Sequence, residues 1–144
     1  MHNMKKCLKI GLFAMLAVAM TSCLYSDFPI DEDGLLITNR SECYVSRLTL
    51  LGTDLQSMHY NFEDAVIDTV ACTIQVRLKY GADLKNVYPQ FSLVTDAKLE
   101  PKVTGFTDFS DYKTNPPKYT VISGNRKVRK TYTIYIQEMD FIPY

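Results

Sequence analysis

Thr69-Val70-Ala71-Cys72-Thr73-Ile74-Gln75-Val76-Arg77-Leu78-Lys79 is the stretch on which the fold turns. Val70, Cys72, Ile74, Val76 and Leu78 alternate with Thr69, Ala71, Thr73, Gln75, Arg77 and Lys79. Successive side chains of a strand point to opposite faces, so a strict period of two describes a strand with one face in a core and one in water.

The same rhythm returns further along. Tyr132, Ile134 and Ile136 alternate with Thr131, Thr133, Tyr135 and Gln137, and Tyr119 and Val121 precede them. Ser123-Gly124-Asn125-Arg126 lies between as a turn signal, so residues 118–137 are predicted to form a long hairpin. Its tip carries Arg126, Lys127, Arg129 and Lys130, whose expected job is to keep the hairpin solvated.

Shorter strands surround these two. Tyr44 to Leu51 is one, ended by Gly52; Phe91 and Leu93 mark another after Pro89. Ala97 to Val103 is interrupted by Pro101, which suits a sheet edge. Phe106 to Tyr112 is expected to add a strand, and Asp54 to His59 a short helical turn. Many short strands separated by turns must bury their apolar faces sheet against sheet. The expected fold class is therefore all-β, a sandwich of about seven antiparallel strands over residues 43–138, with a short tail at 139–144.

The start of the chain obeys other rules. His2, Lys5, Lys6 and Lys9 are followed by an apolar run from Ile10 to Met20, then by Thr21, Ser22 and Cys23. A helix rises about 1.5 Å per residue, so that run falls well short of a hydrocarbon core about 30 Å thick. A positive start, a short apolar centre and small residues at the end make a secretory signal over residues 1–22. Residues 23–42 read as a tether, with an acidic run at Asp31, Glu32 and Asp33; Leu35 to Ile37 is an alternative first edge strand. Without residues 1–22 the chain carries 13 basic against 16 acidic residues, a balance that gives no basic face for nucleic acid. An exported domain would meet an oxidising compartment, where Cys43 and Cys72 are permitted to pair, or to stay as small buried thiols.

Two resemblances follow from these residues. Met20-Thr21-Ser22-Cys23 resembles the lipobox of bacterial lipoproteins, which implies cleavage before Cys23 and lipidation of its thiol; Met20 stands where Leu is usual. The order Tyr88-Pro89, Phe91-Ser92-Leu93, Leu99-Glu100-Pro101, Asp108-Phe109, Tyr119-Thr120-Val121, Gly124 and Lys130-Thr131-Tyr132-Thr133-Ile134 resembles an Ig-like module. Such modules recur in Bacteroidetes surface lipoproteins linked to polysaccharide-utilisation operons. The resemblance implies an outer-membrane lipoprotein held through its lipid anchor, at the cell surface or on the periplasmic face. It implies a glycan or a protein as partner.

Chemistry is sparse. His59 is the lone histidine after the export segment and sits in a polar loop, where a solvated side chain is expected. No serine motif, cysteine pair at ligand spacing or phosphate-binding glycine loop is present, so no catalytic residue, metal or cofactor is expected. Two carboxylate groupings, Asp108 with Asp111 and Glu63 with Asp64 and Asp68, read as turn acids rather than as calcium ligands. Sugar recognition needs aromatic faces, and alternation places Tyr60, Tyr80, Tyr112 and Tyr135 outside as candidate ligand-binding residues. The expected function is non-catalytic binding, accessory to surface glycan or nutrient uptake. The alternative is a structural or adhesive envelope module without a small ligand.

Overall fold

The computed structural model describes residues 28–141 and Pro143. The export segment and Cys23 lie outside the described residues. Among those described, no helix is long and apolar enough to cross a membrane.

Met1–Leu36 and Ile37–Tyr144 are separate units. In the first, the acidic run closes a tight turn. Asp31 Oδ1 accepts the amides of Asp33 and Leu35, Gly34 takes a positive φ of 78°, and Ile30 bridges Leu36. Only glycine adopts that backbone without steric cost.

The second unit holds seven strands: β1 (Val45–Leu51), β2 (Val66–Asp68), β3 (Thr73–Leu78), β4 (Tyr88–Leu93), β5 (Lys98–Glu100), β6 (Lys118–Ile122) and β7 (Arg129–Glu138). They make an all-β sandwich of a two-stranded sheet, β1-β4, and a five-stranded sheet, β2-β3-β7-β6-β5. The expected hairpin is β6–β7, antiparallel from Lys118↔Thr133 to Ile122↔Arg129. Pairing is not antiparallel throughout, however. β3 and β7 run parallel, Thr73 facing Thr133 and Leu78 facing Glu138. The chain leaves β3, passes through β4 of the other sheet and returns, so no hairpin imposes opposed directions on this pair.

The long alternation of residues 69–79 also resolves differently. Only Thr73–Leu78 is strand; Thr69 to Cys72 is the loop of a β2–β3 hairpin. Asp68 Oδ1 accepts the Val70 and Ala71 amides, which turns the chain, and Cys72 sits at φ 56°. Val70 is consequently 93% exposed, despite continuing the apolar period. Phe106 to Tyr112 forms no named strand; Thr107 makes an isolated bridge to Val87, and turns follow. The short helical turn lies at Tyr60–Phe62, later than Asp54 to His59.

The core sits between the sheets. Ile74, Val76, Leu78, Val121, Tyr132 and Ile134 face inward from the larger sheet, and Val45, Leu48 and Leu50 from the smaller. Fully burying one such side chain is worth about 1.5–3 kcal/mol. A bulge between Val45 and Arg47 explains why the inward positions of β1 are 45, 48 and 50 rather than every second residue. Phe91 of β4 meets Tyr119 of β6 with ring centroids 4.8 Å apart, an aromatic contact across the two layers. Tyr132 is fully buried and its hydroxyl has no hydrogen-bond partner. The Val45 backbone comes near it, but burial dominates and holds the phenol above its usual range.

The hairpin tip is built rather than merely solvated. Thr38 N–H donates to Gly124 O and Asn125 N–H to Arg40 O, so residues expected to be tether are bonded to the turn. A Cβ on Gly124 would lie 2.5 Å from Thr38 Oγ1, which explains the glycine. Arg126 Nη1 donates to the carbonyls of Ser123, Gly124 and Asp96, and Arg129 pairs with Glu100.

Candidate functional site

The outward residues of β3 and β7 share one face. Register sets Gln75 beside Tyr135 and Arg77 beside Gln137, and β2 adds Val66 beside Gln75. Their neighbours Ile74, Val76 and Ile134 are buried, so alternation obliges these side chains to face water. With Glu63 and Asp64 from the preceding loop they line a shallow groove of about 210 Å³. Tyr135 is half exposed and Val66 65% exposed, giving the groove an aromatic ring and an apolar wall among amides.

Charge in the groove is internally matched. Arg77 Nη1 donates to Glu63 Oε2 at 3.0 Å, and its guanidinium lies 5.3 Å from the Tyr60 ring centroid. Arg47 pairs with Asp64 at 3.8 Å. Tyr60 thus covers the arginine from the loop, while Tyr135 lines the same groove from the sheet beside Gln75.

His59 holds that loop, and the expectation of a solvated histidine is corrected. It is 3% exposed. Leu50 N–H donates to Nε2 at 2.9 Å, so the ring proton lies on Nδ1, which donates to Glu63 O at 2.7 Å. His59 also bridges Leu78, and Lys79 N–H donates to Met58 O. The buried imidazole therefore ties β1 to the loop of Tyr60 and Glu63, while the backbone of Met58 and His59 bridges the end of β3.

The other two candidate tyrosines lie elsewhere. Tyr80, after β3, is 66% exposed and packs against Phe141 with centroids 5.5 Å apart. Tyr112 lines a second hollow with Leu84 and Lys85, and its hydroxyl donates to Glu138 Oε1 at 3.0 Å. Burial first, and the Glu138 carboxylate second, push that phenol upward. The four tyrosines accordingly fall into three places: Tyr135 lines the groove with Tyr60 beside its Arg77, Tyr80 packs on Phe141, and Tyr112 lines the second hollow.

The acidic groupings are spent locally. Asp108 accepts from Ser110, which lowers its pKa; Asp111 bonds Thr114; Asp68 shapes the β2–β3 turn. Among the described residues, no group of three or more His, Cys, Asp or Glu gathers as a metal site. Cys43 and Cys72 are free thiols. Burial raises the Cys43 thiol, with Lys130 opposing, and its Sγ donates to Val121 O. Gln75, Arg77, Gln137 and Phe62 were not singled out by the sequence reading. The polar half of the alternation is the signal that contains the first three.

No curated protein matches the chain. A solved structure from Bacteroides thetaiotaomicron, named as a candidate glycoside hydrolase, superposes at a TM-score of 0.54 with 20% identity. The match covers 73% of this chain and 27% of that one. A DUF4623 family protein from Bacteroides eggerthii matches at a TM-score of 0.49 and 17% identity, over 70% of this chain and 22% of its own. This chain thus spans about a quarter of each structure's length, and the likeness to the first, at such identity, concerns the fold alone. The model of the family described as SGBP, N-terminal, matches residues 55–136, more than half of the chain and all of β2 to β6 with most of β7. On that match the chain belongs to the SGBP N-terminal family, the N-terminal domains of starch- or glycan-binding proteins.

Proposed function

We propose that this protein is a non-catalytic glycan-binding lipoprotein of the bacterial outer membrane, surface-exposed, anchored through Cys23 and accessory to glycan uptake. The observation that carries the reading is the Tyr135 groove. A half-exposed aromatic ring stands beside the Gln75 and Gln137 amides on a sheet face held rigid by the core, in a chain of the SGBP N-terminal family. Sugar rings offer an apolar face for stacking and hydroxyls for amides, and a strand places such groups more firmly than a loop does.

Hydrolysis asks for two carboxylates free to act on opposite sides of a glycosidic bond. Glu63 and Asp64 of the groove are each engaged by an arginine, which favours binding over turnover.

Two experiments test the proposal. The detergent-solubilised full chain, applied to a glycan array, should be retained on at least one polysaccharide class without shortening it. Retention on none counts against glycan binding, and released oligosaccharides count against a non-catalytic role. Cys23→Ala should abolish labelling by a palmitate analogue and free the protein from membranes; unchanged labelling would defeat the anchor.

A further inference from the structure

The groove does not end at Arg77. Lys79 is the next outward residue of the same row, and the Tyr60–Phe62 turn stands beside both cations. Asn61 and Phe62 hold φ of 49° and 56°, two successive non-glycine residues in the left-handed region. Such residues cost roughly 1–3 kcal/mol each and persist where surrounding structure enforces them, often at ligand clamps. Here the enforcing contact is His59, through Nδ1 to Glu63 O, and the Phe62 amide donates to His59 O. The result is a phenyl ring 75% exposed to water.

The charges beside this row have internal partners. Arg77 pairs with Glu63, Arg47 with Asp64, and Lys79 Nζ donates to Ser57 O while lying 4.5 Å from the Phe62 ring centroid. An acidic ligand would have to break an ion pair to reach Arg47 or Arg77, and a carbonyl hydrogen bond and a ring contact to reach Lys79. An uncharged one meets aromatic faces and amides without doing so.

We propose that Tyr135, Arg77 with Tyr60, and Phe62 form one continuous strip that binds an uncharged polysaccharide, Phe62 stacking on a sugar ring at the end remote from Tyr135. From Gln75 to Lys79 the row runs about 13 Å at about 3.3 Å per residue, enough for several rings of an extended chain. This deepens the glycan reading above and rests on it.

The test is affinity electrophoresis of the full chain in detergent through gels holding neutral polymers (starch, mannan, xyloglucan) or acidic ones (polygalacturonate, alginate), at about 0.05 and about 0.5 M NaCl, salt that screens exposed charge. Expected is retardation by a neutral polymer, changed less than about twofold by salt and weakened about tenfold in Phe62→Ala, the latter equal to about 1.4 kcal/mol. Phe62→Trp should retain it, and thermal unfolding verifies that both variants are folded. Neutral binding untouched by Phe62→Ala overturns the extended strip. Tighter or salt-sensitive binding of acidic polymers overturns the uncharged ligand while leaving glycan binding in place. Retardation by none of the polymers removes the glycan reading itself.

Discussion

Strands β3 and β7 present two faces made from the same few residues, and the faces answer to different demands. Inward, Ile74, Val76, Leu78, Tyr132 and Ile134 are fully or almost fully buried against the smaller sheet. Outward, Gln75, Arg77, Tyr135 and Gln137 meet water and one another. A core position is constrained by volume and by intolerance of charge. A face position is constrained far less by the fold, so a half-exposed aromatic ring there is available to a ligand. The comparison teaches that stability and binding should separate by residue parity along a single strand.

The sharpest way to break it is to exchange the demands. Ile74→Asp puts an unpaired carboxylate in the core and should leave the domain unfolded, a loss of several kcal/mol visible by circular dichroism. Gln75→Asp, one residue along, should stay within about 0.5 kcal/mol of the parent. Equal stability of the two would mean the faces are wrongly assigned.

His59 joins the two faces. His59→Ala leaves the Leu50 amide without its acceptor and frees the loop that carries Tyr60, Phe62 and Glu63. Denaturant unfolding should show a loss of about 1–3 kcal/mol. Chymotryptic cleavage after Tyr60 or Phe62 should quicken as the loop loosens. A variant as stable and as resistant as the parent would show that the brace is idle.

Alkali acts on the inner face alone. Burial raises the phenols of Tyr119 and Tyr132, so their neutral forms favour the folded state. That contribution is whole below the unfolded tyrosine value of about 10 and is lost as pH climbs through the raised folded values. Unfolding should therefore set in above about pH 10. Tyr132→Phe removes a buried hydroxyl that has no partner, so it should cost nothing at neutral pH, or gain up to about 1 kcal/mol, and move the alkaline midpoint upward. A downward shift would show that the hydroxyl is well satisfied. The smallest contrast concerns the thiols: buried Cys43, held protonated, should react with iodoacetamide more slowly than half-buried Cys72.

Legibility in the sequence followed the same division. The β6–β7 hairpin was readable because its alternation and its turn agree, with Ser123 and Gly124 marking the reversal. The strand of residues 69–79 was over-read, because Val70 and Cys72 continue an apolar period through what Asp68 turns into a hairpin loop. Period alone does not register a side chain that caps its own backbone. The parallel β3–β7 pair carries no local mark, since it is made by a crossing through the other sheet. On the site, exposure of Tyr135 followed from alternation, while its company did not. Arg77 and Glu63 meet through tertiary placement, and His59 is buried by partners nine and four residues away that no motif announces.

One substitution tests the division of labour most directly. Tyr135→Ala trims a half-exposed ring from the groove and touches no core contact. Thermal unfolding and polysaccharide retention, measured on the same preparation of the full chain, should give an unfolding midpoint like the parent's together with lost retention. A folded variant that still binds with the parent's affinity would contradict the claim that the outward face of β3 and β7 is where this protein meets its glycan.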